Sequence, residues 1–131
     1  MGSKRKPHPV ISGQHRGSFL LPGTDARVSL NPVECTLYRL FLNHPEGIQA
    51  KTLPAHWQEL CTLYAHESIF DDKCLMTSTM RSLCDKSKVV FYANVSRIKK
   101  KFIAALGTRK AAPYIIKRGK DGIYRTMATW G

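Results

Sequence analysis

Apolar residues near the amino end come in short bursts: Val10-Ile11, Ser18-Phe19-Leu20-Leu21, and Ala26 to Leu30. Gly13, Gly17 and the Pro22-Gly23 pair punctuate them, which predicts two or three short antiparallel strands. The period changes at Asn31. Asn can cap the free N–H groups of a helix, Pro32 suits the first helical position, and Glu34 completes a capping-box pattern. Val33, Leu37, Leu40 and Phe41 then share one face at helical spacing, and 43-NHPEG-47 ends the run. Trp57, Leu60, Cys61 and Tyr64 predict a second helix from about Leu53 or Pro54 to Tyr64. The stretch from Ser68 to Lys88 is less regular, with a short helix over Thr77 to Cys84 that has Met76, Met80 and Leu83 as its apolar positions.

The strongest periodicity follows. Val95, Ile98, Phe102 and Ala105/Leu106 predict a helix from about Tyr92 or Ala93 to Leu106, closed by Gly107. Its opposite side carries Arg97, Lys100, Lys101 and Ala104, with Asn94 and Lys99 at the margins. Pro113 to Lys117 and Ile123 to Met127 read as two strands joined by 118-RGKDG-122, a hairpin with a basic tip. The order predicts an α+β fold: a winged helix-turn-helix with short N-terminal antiparallel strands, three or four helices and a C-terminal β-hairpin wing. Residues 1–9, with Lys4, Arg5 and Lys6, read as a disordered basic tail, and residues 10–131 as one winged-helix DNA-binding domain.

Charge sharpens this reading. The 131 residues hold 21 Lys and Arg against 9 Asp and Glu, a formal net charge of +12, which favours a polyanionic partner. The excess is not spread evenly. Residues 31–88 carry six basic and seven acidic side chains, whereas residues 89–131 carry ten basic ones and a single acid, Asp121. A docking surface concentrates charge in this way. No stretch approaches eighteen consecutive apolar residues, so no membrane span is expected, and no apolar run follows the basic start as a signal peptide requires. Cys35, Cys61, Cys74 and Cys84 form no CxxC pair. His56, Cys61, His66, Cys74 and Cys84 share a 29-residue window, but that spacing arises easily by chance. Reduced, mostly buried cysteines of a cytoplasmic protein are expected, with no metal and no other cofactor.

A helix fits the DNA major groove, where cationic side chains reach phosphates and others reach base edges. Asn94, Ser96 and Arg97, near the helix start, are candidate base readers. Arg97, Lys99, Lys100 and Lys101 supply charge for phosphates, and Lys117, Arg118, Lys120 and Arg125 place the hairpin toward the backbone or the adjacent minor groove. A run such as 99-KKK-101 can be no more than a solvated face, but here it lies opposite a clean apolar stripe and precedes a second basic element. A membrane-surface helix would need the apolar face that the core requires. RNA fits less well, because the A-form major groove is too narrow for side-chain reading. A competing class is a protein-interaction module on a winged-helix scaffold that has lost specific DNA binding. No Gly-rich phosphate loop, HExxH or nucleophile elbow is present, so no enzyme is expected. His56, His66 and Cys61 read as packing or surface residues, and His44 before Pro45 as loop.

The segment 94-NVSRIKKKF-102 resembles the recognition helix of the OmpR/PhoB-type response-regulator effector domains, where a histidine and an isoleucine precede S-R-L-R-x-K-L. The tail 114-YIIKRGKDGIYR-125 is similar to that family's closing hairpin, and 28-VSLNPVECTLYRLFLNHPEG-47 to its strand, first helix and following loop. The resemblance covers roughly residues 18–127. It implies a small N-terminal sheet, three helices and a hairpin wing, with promoter DNA bound, often as tandem dimers on direct repeats. It implies DNA contact for Arg97 and Lys99, a phosphate-contacting position for Asn94, and a minor-groove position for Arg125. Val95, Ile98 and Phe102 match the helix's core side. Two departures stand out. The wing is two residues longer between Gly119 and Tyr124, and 29 residues separate Tyr64 from Asn94, where the family meets RNA polymerase or another regulator. Residues 65–90 are therefore the expected partner-facing region. No phosphoacceptor receiver domain fits in the sequence.

Overall fold

A computed structural model of the chain describes residues 10–15, 17–21, 26–67 and 73–130. The basic tail and the Pro22-Gly23 turn lie outside them. Strands β1 (Val10–His15), β2 (Ser18–Leu20) and β3 (Arg27–Ser29) form an antiparallel sheet, as the bursts of apolar residues predict. Helix α1 (Pro32–Asn43) follows, then β4 (Ile48–Gln49), a 3-10 segment (Ala50–His56), α2 (Trp57–Glu67), α3 (Lys73–Leu83) and α4 (Val89–Leu106). A single turn of helix, α5 (Thr108–Ala111), leads to β5 (Lys117–Arg118), β6 (Ile123–Arg125) and β7 (Thr129–Trp130). The architecture is α+β: N-terminal strands, a helical centre and a C-terminal hairpin in a winged-helix arrangement.

The start of α1 is set by local chemistry. The Asn31 side chain accepts the Glu34 N–H at 2.8 Å, and the Glu34 carboxylate accepts the Asn31 N–H at 3.0 Å, so the capping box is complete. Helix α1 packs against both α2 and α4, burying Leu37, Tyr38, Leu40 and Phe41. Tyr38 is the hub. Its ring meets Phe19 edge-on and lies 5.1 Å from Phe102 of α4, and its hydroxyl donates to the Tyr114 carbonyl at 2.6 Å. Burial pushes the Tyr38 phenol above its ordinary pKa. A second buried acid, Glu67 at the end of α2, forms an ion pair with Arg39 at 2.6 Å and accepts the Gly17 N–H at 3.0 Å. The Arg39 guanidinium also lies 5.0 Å over the Phe19 ring, so one ionic joint ties the N-terminal sheet to α1 and α2.

Several elements differ from the sequence expectation. The expected strand from Pro113 to Lys117 is a turn until Lys117. Tyr114 stacks on Phe102 at 5.8 Å, and its carbonyl accepts from both Tyr38 and Thr126, which holds the chain out of an extended path. The second wing strand stops at Arg125 for the same reason, because Thr126 turns in toward Tyr114. The second helix is α-helical only from Trp57, since Pro54 sits inside the preceding 3-10 segment. The short helix expected over Thr77 to Cys84 extends from Lys73 to Leu83. Helix α4 begins at Val89, earlier than expected, because Phe91 is drawn into the core against Phe41 and Tyr124.

Two strands carry no signal of their own. β4 pairs antiparallel with β6, Ile48 opposite Tyr124, and makes the wing a three-stranded sheet in the order β4-β6-β5. β7 lies parallel to β1, so both ends of the described chain share one sheet. Gly47 makes the first pairing possible. Its φ is +95°, and a Cβ there would stand 2.4 Å from the Ile123 side chain and 2.8 Å from the Tyr124 carbonyl.

The capping box yields a direct expectation. Asn31→Ala removes the side-chain acceptor and costs about 1 kcal/mol, within the usual 0.5–2 kcal/mol range for such caps, read as a lower urea midpoint with unchanged m-value.

Candidate nucleic-acid interface

Helix α4 is 18 residues long, about 27 Å at the usual rise. Its buried side carries Phe91, Asn94, Ile98 and Phe102, with steps of three, four and four residues. Phe91 sets this register and rotates the helix slightly from the expected stripe: Val95 is only half-buried and Ala105 is exposed. The opposite face exposes Tyr92, Ser96, Arg97, Lys99, Lys100 and Ala104.

Two sequence candidates are consequently placed differently from the rest. Asn94 is 3% exposed, and its amide donates to the Val90 carbonyl at 2.8 Å. It faces inward beside Ile98, so its side chain is not on the outer face that Ser96 and Arg97 share. Lys101 is half-exposed, and its ammonium pairs with the Glu34 carboxylate, which is fully buried at the start of α1. Its charge is directed at α1 instead of outward. Both placements go with the register in which Phe91, Ile98 and Phe102 are buried.

The wing tip is built from Gly119 to Gly122, with the Gly119 N–H donating to the Ile123 carbonyl at 2.8 Å. Arg118 and Lys120 are exposed there, as is Lys117. Arg125 folds back across the tip to Asp121 at 3.2 Å. The Ile123 N–H and the Arg125 guanidinium hold the Asp121 carboxyl below the usual range. Gly119 leaves room for this contact, since a Cβ would meet the Asp121 carboxylate at 2.8 Å.

Helix and wing meet at a cleft of about 630 Å³, lined by Gln49, Lys51, Lys88, Tyr92, Arg118 and Tyr124 among others. Tyr92 is 47% exposed and lies 6.3 Å from the Tyr124 ring, and Phe91 meets Tyr124 edge-on from the core side. Lys51 and Lys88 were not singled out from the sequence. The 86-KSK-88 run just before α4 was the available signal for Lys88. Lys51 had none, since only the β4–β6 pairing brings it beside the wing. Arg97, Lys99, Lys100, Arg118 and Lys120 show no acidic partner among the described residues.

The chain matches no protein-family model, no curated protein and no solved structure. The fold itself is of the winged-helix type, a scaffold that generally lacks catalytic activity. Burial pushes Cys35 up to about 12 and raises Cys61 and Cys84, so the nucleophilic thiolate is disfavoured at all three. Among the described residues no helix is long and apolar enough to cross a membrane.

Lys100 and Lys101 provide an internal comparison. Lys101→Met leaves a buried carboxylate short of its main partner and costs about 1–3 kcal/mol, whereas Lys100→Met on the exposed face changes stability by less than about 0.5 kcal/mol. Parallel urea melts of the two variants measure the contrast.

Proposed function

We propose that this protein is a sequence-specific double-stranded-DNA-binding transcriptional regulator of the OmpR/PhoB effector type. In this reading α4 occupies the major groove and the wing lies on the adjacent backbone or minor groove. The observation that carries it is that Arg97, Lys99 and Lys100 on the outer face of α4 and Arg118 and Lys120 of the wing are exposed with no acidic ion-pair partner among the described residues, while a cleft lined by Lys51, Lys88, Arg118 and Asp121 lies between the start of α4 and the wing. Ser96 and Arg97 are the base readers, because they are exposed on the outer face. Arg97 has the planar fork that pairs with guanine O6 and N7. Lys99, Lys100, Arg118 and Lys120 neutralise phosphates, and Lys51 and Lys88 add to them from the cleft.

Arg125 takes part after it exchanges Asp121 for a phosphate or a minor-groove edge, which makes its contribution smaller than that of an unpaired arginine. Lys101 contributes chiefly by holding α4 on α1. Asn94 is left out of the contact set. The helix α3 and its turn into α4 form the outward part of the 65–90 region through which a polymerase or another regulator is met, and dimers assemble on repeated DNA sites.

The test is fluorescence-anisotropy binding to a random duplex pool at two salt concentrations, with the tight binders sequenced. A shared motif is expected, and Arg97→Ala is expected to cost about 1–3 kcal/mol and to relax the motif at one position. Removal of Lys100 or Arg118 is expected to weaken all sequences alike and to reduce the salt slope by about one. Binding with no enriched motif, equally tight on unrelated polyanions, overturns sequence-specific recognition. Salt-insensitive capture of a protein through residues 65–90 supports the interaction-module reading in its place.

A further inference from the structure

A second cluster of side chains sits where α1 ends and α2 begins, and it has no part in the DNA reading. His44 closes α1, His56 ends the 3-10 segment, and Glu59 lies in the first turn of α2. His44 Nε2 is 2.7 Å from Glu59 Oε1, and His56 Nδ1 is 4.0 Å from the same oxygen. The two imidazole rings are 4.7 Å apart, and one donor atom from each of the three residues falls within 4.8 Å of the others. All three side chains are half-buried.

The atoms that point away from this centre are also held. His44 Nδ1 faces Glu46 at 3.0 Å, and the other oxygen of Glu59 accepts from the Asn43 amide at 3.1 Å. A carboxylate on the far nitrogen of a ligating histidine fixes the ring's orientation and raises its basicity, and metal sites use this device widely. Both ring nitrogens of His44 face carboxylates, so an ion at this centre would displace the proton that Nε2 shares with Glu59.

We propose that His44 Nε2, His56 Nδ1 and the Glu59 carboxylate bind a zinc-class divalent transition-metal ion, with water in the remaining position. Two imidazoles with one carboxylate suit zinc, whereas magnesium and calcium require oxygen donors. Bonds of 2.0–2.2 Å in a tetrahedral site set donor atoms about 3.3–3.6 Å apart. The His44–Glu59 contact therefore opens and the His56–Glu59 contact closes by less than about 1 Å each, and the two imidazole nitrogens, within 4.8 Å of each other, close by at most about 1.5 Å. The ion would join the end of α1, the 3-10 segment and the start of α2, three pieces separated in sequence by up to fifteen residues.

The full chain, stripped with chelator, is titrated with Zn²⁺ by calorimetry and with Co²⁺ by visible absorption. Expected are binding of one Zn²⁺ at this site, a rise in Tm, and Co²⁺ ligand-field bands without thiolate-to-metal charge transfer. His56→Ala and Glu59→Gln each lower affinity at least tenfold, and Glu46→Gln lowers it about tenfold. Glu59→Gln keeps the side chain's shape, so its loss is not one of folding. A Cys61→Ser/Cys84→Ser variant binds as the wild type does. The proposal is overturned if the stripped chain takes up no Zn²⁺. It is also overturned if binding survives both His56→Ala and Glu59→Gln, which would point to His8, His15 or other groups, or if the cysteine variant abolishes it. DNA binding by the stripped chain is read separately and bears only on the reading above.

Discussion

The Glu34 carboxylate is the point on which the arrangement turns. It lies in the first turn of α1, fully buried, and it has two tasks. It accepts the Asn31 N–H, which starts the helix, and it receives the Lys101 ammonium from α4. A buried carboxylate is tolerated only when paired and hydrogen-bonded. Its pairing with Lys101 through Oε1 therefore favours one rotation of α4 about its axis. Phe91, Ile98 and Phe102 enforce the same rotation from the apolar side, and Tyr38 receives Phe102 in the core. Ionic and hydrophobic demands agree, and together they decide which cations of α4 face away from the protein.

The acids among the described residues are mostly used internally. Glu34 holds Lys101, Glu67 holds Arg39 and Gly17, Asp121 holds Arg125, and Glu46 and Glu59 hold His44. Asp85 bonds Ser87 in the turn before α4. None of these forms an ion pair with Arg97, Lys99, Lys100, Arg118 or Lys120, although Asp121 follows Lys120 in the chain and lines the cleft with Arg118. The net charge of +12 is thus not a uniform coat. Part of its excess lies on the outer face of α4 and on the wing, with Arg81, Lys86, Arg109 and Lys110 exposed elsewhere, and such a surface favours a polyanion.

Local rules were legible in the sequence. Asn31, Pro32 and Glu34 announced α1, Gly107 announced the end of α4, and the Gly-rich 118–122 stretch announced the wing. What the sequence did not disclose depends on contacts between distant elements. Val95 looked like a core residue and Asn94 a marginal one. The order reverses because Phe91, read as preceding the helix, belongs to its buried side. Lys99, Lys100 and Lys101 are alike as letters, and only the position of Glu34, 67 residues away from Lys101, separates the third from the first two. β4 and β7 are two residues each, too short for any alternation to register, and they exist through pairing with β6 and β1. His44, His56 and Glu59 show no metal-ligand spacing in sequence, since the turn after α1 and the 3-10 segment bring them together.

The turn after α1 joins two features that look unrelated in the sequence. His44 and Glu46 belong to the cluster at the head of α2, Gly47 lies against the wing, and Ile48 pairs with Tyr124 of β6. Four residues of chain span at most about 14 Å, so the wing's inner strand hangs on the same short segment that the histidine cluster anchors. Tyr124 in turn contacts Phe91 and Tyr92 at the start of α4. The spacing between wing and helix, which sets the width of the cleft between them, is thus fixed from both sides: by β4 through the turn, and by Phe91 through the core. A loosened turn would leave α4 in place, because Glu34 and Tyr38 hold it independently, and would move the wing alone.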